Sequence, residues 1–411
     1  MVIKMKNNNI PAIRFKGFTE AWEQCKLGEM GYTYTGLSGK TKEDFGHGEG
    51  KFITYMNVFS NPISNIEMAE PIEIDVKQNS VLSGDIFFTT SSETPEEVGM
   101  ASVLVENPQN MYLNSFCFGF RPNIILDPYY MGYMLRSTGF RKNMILLAQG
   151  ISRYNISKTK VMELNVSIPI LEEQNKIGLL FKELNNLITL HQRKYEKLIN
   201  IKKSLLEKMF PSDGESIPKI RFRGFTEAWE QCKLMDLGRI ETGNTPSTSV
   251  KEYYSEEGML WVTPTDINSN ILFNTERKLS EKGIKVARVI PANSTLCTCI
   301  ASIGKNAFLP VKCAFNQQIN ALTPYNNNDP YFIFTNSYYW SQIMKRGAGG
   351  LTFQIVNKTE FSNIETSVPN KEEQVLISKL FFKIDNLITL HQRKYEKLKN
   401  IKKSLLNKMF V

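Results

Sequence analysis

Histidine is scarce in this chain, with three in 411 residues, and the six cysteines include no CxxC pair; Cys297 and Cys299 stand one residue apart. That scarcity argues against a zinc site and a disulfide framework, and it predicts a chain suited to a reducing cytoplasm. No apolar run approaches the length of a membrane span, so no membrane association is expected. The first nine residues are rich in Lys and Asn and lack an apolar stretch, so no secretory signal is expected there. Catalytic signatures are missing too. Ser38-Gly39-Lys40-Thr41 looks like the end of a phosphate-binding loop, but Tyr34 stands where that pattern requires glycine. Asp127-Pro128-Tyr129-Tyr130 approaches an amino-methyltransferase signature without its second proline, and no glycine-rich cofactor loop accompanies it. The absence of a catalytic constellation predicts that any chemistry is done by partners.

What the chain does have is a long internal repeat. Residues 10–27 (IPAIRFKGFTEAWEQCKL) return as 217–234, with changes only at Ala12/Lys219 and Lys16/Arg223. Residues 186–210 (NLITLHQRKYEKLINIKKSLLEKMF) return as 386–410, with changes only at Ile199/Lys399 and Glu207/Asn407. The period, about 200 residues, is too long for a solenoid, so a module has been duplicated. Six segments follow: a first block (1–27), a variable domain (28–170), a helical block (171–211), the repeated block (212–234), a second variable domain (235–370) and a second helical block (371–411). Asp127-Pro128 and Asp329-Pro330 sit at matching places, and Asp before Pro is a helix start. Gly150 and Gly350, and Lys158-Thr159 and Lys358-Thr359, also correspond. The two variable domains are therefore expected to share a fold.

The helical blocks carry coiled-coil spacing. The stripe runs through Phe181, Leu184, Ile188, Tyr195, Leu198 and Leu205 in the first copy. In the second it runs through Phe381, Ile384, Ile388, Tyr395, Leu398 and Leu405, and these positions are expected to pack. His191 and His391 lie on the same stripe, where a polar residue more often sets register than catalyses. Acidic residues open each helix and lysines lie near each end, matching the helix dipole, and Asn370 with Glu373 has capping-box spacing. A helix of about 40 residues spans about 60 Å. Packed antiparallel, the two would hold the variable domains at opposite ends about a pseudo-two-fold axis; a plain oligomerisation stalk is the alternative. Residues 186–210 hold six Lys/Arg against two Glu, and 386–410 seven against one. These blocks alone exceed the chain's net +9, so the remainder is near neutral. The basic helices either follow phosphates or present a solvated face.

The RF(K/R)GFTEAWEQCKL repeat, the Glu-Glu-Gln opening of each long helix and LHQRKYEKLxNIKKSLL resemble the conserved regions of type I restriction–modification specificity subunits. In the second half, Thr242 to Ser247, Trp261 to Ile267 and Asn316-Gln317-Gln318 look like motifs of target-recognition domains in that family. The first domain departs from them, with Gly36 to Thr41 and Tyr55 to Val58 at the corresponding places. The resemblance implies an α/β fold: two target-recognition domains of similar fold joined by two long antiparallel coiled-coil helices. It implies a non-catalytic chain that reads a bipartite, asymmetric site on double-stranded DNA, one half per domain. It implies two methyltransferase (M) subunits and two restriction/translocase (R) subunits as partners. S-adenosylmethionine, ATP and magnesium would belong to those partners, with no cofactor or metal on this chain. A structural adaptor presenting two protein-binding domains is the competing class.

Base-reading side chains are Arg, Lys, Asn, Gln, Ser or Thr on loops that enter a groove. In the first domain the candidates are Ser38, Lys40, Thr41, Asn57, Thr89, Thr90, Ser91, Ser92, Arg153 and Tyr154. In the second they are Asn244, Thr245, Ser247, Thr265, Lys305, Asn316, Gln317 and Gln354. Each competes with an ordinary role as turn, cap or surface residue, and Asn316 to Gln318 with a buried strand.

Overall fold

The computed structural model describes residues 9–212, 214–300, 302–347 and 355–411. Gly350 and Gln354 lie outside the described residues. The chain divides into two compact units, residues 1–192 with 393–411, and residues 193–392. Each holds one variable domain, the first half of one long helix and the last half of the other.

In the first unit a four-stranded antiparallel sheet has the order Gly31–Thr35, Cys117–Pro122, Ile86–Thr89, Ala101–Val103. Alternate side chains of a strand point to opposite faces. Ile86 and Phe88 join a core with Tyr130 and Phe181 on the helical side, whereas Phe87 joins Tyr34 and Ile53 on the other. With both faces covered, the strand reads as a continuous apolar run. The second face packs on a three-stranded sheet, Glu70–Ile72, Phe45–Ile53 and Met111–Leu113.

The second unit repeats the plan. Its four-stranded sheet runs Gly238–Thr242, Ile319–Pro324, Ser294–Thr298, Asn306–Leu309. Leu296 and Ala321 face one cluster, Cys297 and Leu322 another. A five-stranded sheet covers it: Tyr254–Ser255, Arg277–Leu279, Met259–Val262, Cys313–Phe315 and Val289–Ile290. In both units one pair of the covering sheet is parallel, Phe45–Ile53 with Met111–Leu113 and Met259–Val262 with Cys313–Phe315. The variable domains thus share a mixed α/β fold.

The repeated helix starts form as expected. Asp127 accepts from the Tyr130 N–H at 2.6 Å, and Asp329 from those of Tyr331 and Phe332 at 3.0 and 2.9 Å. Helices Lys158–Met162 and Lys358–Ser362 begin at the paired Lys-Thr sites, capped by Ser157 and Asn357.

The long helices are Leu171–Met209 and Lys371–Lys408. Phe181 and Phe381 are fully buried, Leu184 and Ile384 nearly so. Ile188, Tyr195, Leu198, Leu205, Ile388, Tyr395, Leu398 and Leu405 are half-buried. Within the first unit Phe181 meets Phe410 at 5.5 Å between centroids, and Asn185 accepts from Lys402 at 2.8 Å. Rising numbers on one segment meet falling numbers on the other, so the two run antiparallel. The second unit does the same with Phe381 and Phe210 at 6.0 Å and Asp385 and Lys202 at 2.6 Å. The capping box at Asn370 is half formed. Asn370 accepts from the Glu373 N–H at 3.0 Å, but the Glu373 carboxylate turns to Arg221 instead.

Candidate nucleic-acid interface

The repeated blocks build the base of each unit. Arg14 grips Glu173 through Nε and Nη2 at 2.7 and 2.8 Å, and the Trp22 indole N–H donates to the same carboxylate at 3.2 Å. Arg221 grips Glu373 in the same way, at 2.8 Å for both bonds. The carboxylates are essentially buried, and their hydrogen bonds raise both arginines above the ordinary value. The next residue completes the joint: Gln174 accepts from the Asp127 N–H at 3.1 Å and donates to the Pro169 carbonyl at 2.9 Å. Gln374 does the same with Asp329 and Pro369, both at 2.9 Å. Each domain is also closed by a two-stranded ribbon, Glu23–Lys26 with Asn165–Ile168 and Glu230–Lys233 with Glu365–Val368. Both copies therefore share a buried Arg–Glu pair and a Gln bridge between segments distant in sequence, with the Trp indole joined to the carboxylate in the first copy.

The candidate readers gather far from regularity but at a common place in the topology. In the second domain the ends of Gly238–Thr242, Ser294–Thr298 and Met259–Val262 and the starts of Asn306–Leu309 and Ile319–Pro324 fall on one edge of the sheets. From it emerge the loops carrying Asn244, Thr245, Ser247, Thr265, Lys305, Asn316 and Gln317. The Asn316 amide donates to the Thr245 hydroxyl at 3.1 Å, and that hydroxyl bonds Gln317. Gly243 is obligatory, because a Cβ there would lie 2.2 Å from the Phe315 carbonyl oxygen. Asn316 to Gln318 form a turn rather than a buried strand, with Asn316 half-buried and Gln317 exposed.

The first domain repeats this edge, with loops after Thr35, Ile53, Thr89 and Leu113. Tyr154 pairs with Ser92 in a short ribbon, and Arg153 donates to the Ser91 hydroxyl at 3.2 Å. These candidates come together, but several are not surface groups. Asn57 is fully buried, its amide donating to the Asn65 carbonyl at 2.7 Å while its oxygen accepts from the Asn65 N–H. Thr89 is buried and accepts from the Met100 N–H, and Ser91 and Ser92 are buried within the ribbon. These four brace loops in this conformation and do not face outward. Thr90 is half-buried and donates to the Phe116 carbonyl at 2.9 Å. Ser38 and Thr41 are exposed, and the Thr41 N–H is held by Asp44 at 2.6 Å. Lys40 is paired with Asp75 at 2.9 Å and lies 3.6 Å from Asp44, so its charge is compensated within the chain. The Lys40 contact is the leading cause that holds the Asp75 carboxyl down at about 2.

The shared topology also exposes residues that composition did not mark. Asn114 is the counterpart of Asn316: it accepts from the Phe116 N–H at 2.9 Å, as Asn316 does from Gln318 at 2.7 Å. Ser115 and Phe116, both exposed, therefore stand where Gln317 and Gln318 stand. The signal was the asparagine opening both turns. Arg288 is the other, exposed between helix Glu281–Val286 and strand Val289–Ile290 on the second domain's edge. Among the described residues no three His, Cys, Asp or Glu groups gather as a metal site, and no helix is long and apolar enough to cross a membrane.

Comparison with known proteins agrees with this geometry. The family model described as type I restriction modification DNA specificity domain matches twice, at residues 19–200 and 226–400. A specificity subunit named for the type I restriction enzyme MjaX of Methanocaldococcus jannaschii is 24% identical over 421 residues, covering 98% of this chain and 96% of that protein. The HindI specificity subunit of Haemophilus influenzae is 32% identical over 149 residues, covering 35% of this chain and 32% of its own. The crystal structure of a type I restriction–modification S subunit from M. genitalium shares the fold, with a TM-score of 0.67 at 13% identity over 98% of this chain and 99% of that one. With two recognition domains on a duplicated base, the chain belongs to the type I restriction–modification specificity subunits, the non-catalytic members of those systems.

Proposed function

We propose that this chain binds double-stranded DNA and reads a bipartite, asymmetric site, one half per recognition domain. The observation that carries the reading is a contrast: the same sheet edge appears in both domains on nearly identical bases, yet it displays different side chains. Neutral hydrogen-bonding groups dominate those edges, which suits base edges better than phosphates. We further propose that the repeated blocks dock two methyltransferase and two restriction/translocase subunits in the cytoplasm. S-adenosylmethionine, ATP and magnesium are assigned to those partners. Mapping methylated adenines in cells expressing this chain with its methyltransferase partner tests the reading. Two short motifs separated by a fixed gap are expected. Confirmed expression without such a motif would refute it and favour the adaptor.

A further inference from the structure

Arg14, Arg121 and Arg221 each turn the Nε–Nη2 edge to a carboxylate within the chain. Arg288 is arranged differently. Its Nη1 donates to the Thr242 carbonyl, and its Nε–Nη2 edge has no partner among the described residues. Its backbone is fixed by hydrogen bonds on either side. The Arg288 N–H donates to the Asn244 side-chain oxygen at 2.6 Å, while the Asn244 amide donates to the Val286 carbonyl at 2.8 Å. One asparagine thus staples both sides of the connection that presents Arg288. Val289 then pairs with Ala314, one residue before the Phe315 carbonyl that accepts from the Asn244 N–H at 2.9 Å. The Trp261 indole closes the same corner, donating to the Asn244 carbonyl at 3.4 Å.

We infer that Arg288 reads a guanine in the half-site of the second recognition domain, through its Nε–Nη2 edge. The inference rests on the proposal that this domain reads DNA, and it assigns one base pair to one residue. An arginine fork matches the O6 and N7 acceptors of guanine, the commonest specific contact in the major groove. Planar recognition of that kind needs a fixed fork, and fixed backbone together with a tethered Nη1 supplies it. The neighbours on the same edge support a base rather than a phosphate: Thr245, Asn316 and Gln317 are neutral donors and acceptors, not a cluster of cations.

The test uses the full chain assembled with its methyltransferase partner. Methylated sites are mapped for wild type, R288K and R288Q, after thermal unfolding establishes that the variants fold. One guanine in the half assigned to the second domain should become degenerate, with discrimination at that position falling about 5- to 150-fold. The other half should not change. Duplexes carrying 7-deazaguanine at each guanine of the wild-type motif give an independent measurement without altering the protein. One position should weaken binding to wild type and leave R288Q indifferent. An unchanged motif with uniformly weaker binding and a salt slope lowered by about one would make Arg288 a phosphate contact and overturn the inference. Degeneracy in the other half, or 7-deazaguanine sensitivity nowhere in this half, would overturn it as well. Should wild type methylate no bipartite motif, the DNA reading itself fails, which separates the two outcomes.

Discussion

Lys202 and Lys402 occupy the same place in the repeat but meet different partners. Lys202 pairs with Asp385 at 2.6 Å, whereas Lys402 donates to the neutral Asn185 at 2.8 Å and lies over the Tyr133 ring at 5.2 Å. Burial, reinforced by the nearby Arg136 charge, pushes Lys402 down from 10.5 to about 8. Between those values the unfolded chain binds the proton that the folded chain has released. Stability of the first unit therefore rises as pH climbs from 7 through 9, with a slope from this group of at most about 1.4 kcal/mol per pH unit. Asn185→Asp installs the missing counter-ion and should stabilise this unit at pH 7 by about 1 kcal/mol while flattening that slope. Unfolding curves at both pH values decide; a drop in stability at pH 7 would show that Lys402 is not held against residue 185. The Arg–Glu joints give a second comparison. Glu173→Gln leaves the Arg14 guanidinium uncompensated and should cost about 3–5 kcal/mol. Glu373→Gln should cost somewhat less, because the Trp229 indole N–H has no hydrogen-bond partner among the described residues, whereas Trp22 donates to Glu173. Equal losses would remove the indole from the account.

Each unit is closed by an aromatic side chain from the end of a long helix. Phe410 lies 5.7 Å from Tyr130 and 5.5 Å from Phe181, and Phe210 lies 5.8 Å from Phe332 and 5.5 Å from Trp229. Phe410 thus belongs to the core of the unit that contains the first repeated block. Phe410→Ala should destabilise that unit by about 3–5 kcal/mol, and hydrogen exchange should rise in residues 9–192 and not in residues 193–392. Faster exchange confined to the second unit would contradict the assignment. At this scale much was legible in sequence: the helix stripes, the Asp-Pro starts at 127 and 329, and the kinship of the two domains all follow from local periodicity and capping. The recognition edges were less legible. Polar composition marks Asn57, Thr89, Ser91 and Ser92 as strongly as Ser247 and Gln317, because a buried hydrogen-bonded side chain and an exposed one have the same letter. Lys40 reads as a free cation until Asp75 is brought beside it by a strand pairing that sequence spacing does not reveal. Ser115 and Phe116 carry no signal until Asn114 is superposed in topology on Asn316.

At the scale of the whole molecule, the ribbons define how the recognition domains are attached. Glu230 pairs with Val368 and Lys233 with Glu365, so the chain enters and leaves the second domain on adjacent hydrogen-bonded strands. Glu23 to Lys26 and Asn165 to Ile168 do the same for the first. Each domain is therefore an insertion between two tied ends, and the Arg–Glu joint lies outside it. Exchange should be tolerated when the cuts fall just inside the ribbon, which refines the natural boundaries to residues 27–164 and 234–364. The shared sheet plan makes a decisive exchange available: residues 234–364 placed also between Lys26 and Asn165. Both reading edges would then carry the same side chains on bases that are nearly identical by sequence. Such a chain, expressed with the methyltransferase partner, should methylate a site whose two halves carry the same bases, both matching the half that Arg288→Gln degrades in the parent. The gap between halves should stay as in the parent, because neither long helix is altered. A site that keeps two different halves would show that recognition is not confined to the inserted domains, and a changed gap would show that the domains, rather than the helices, set the spacing.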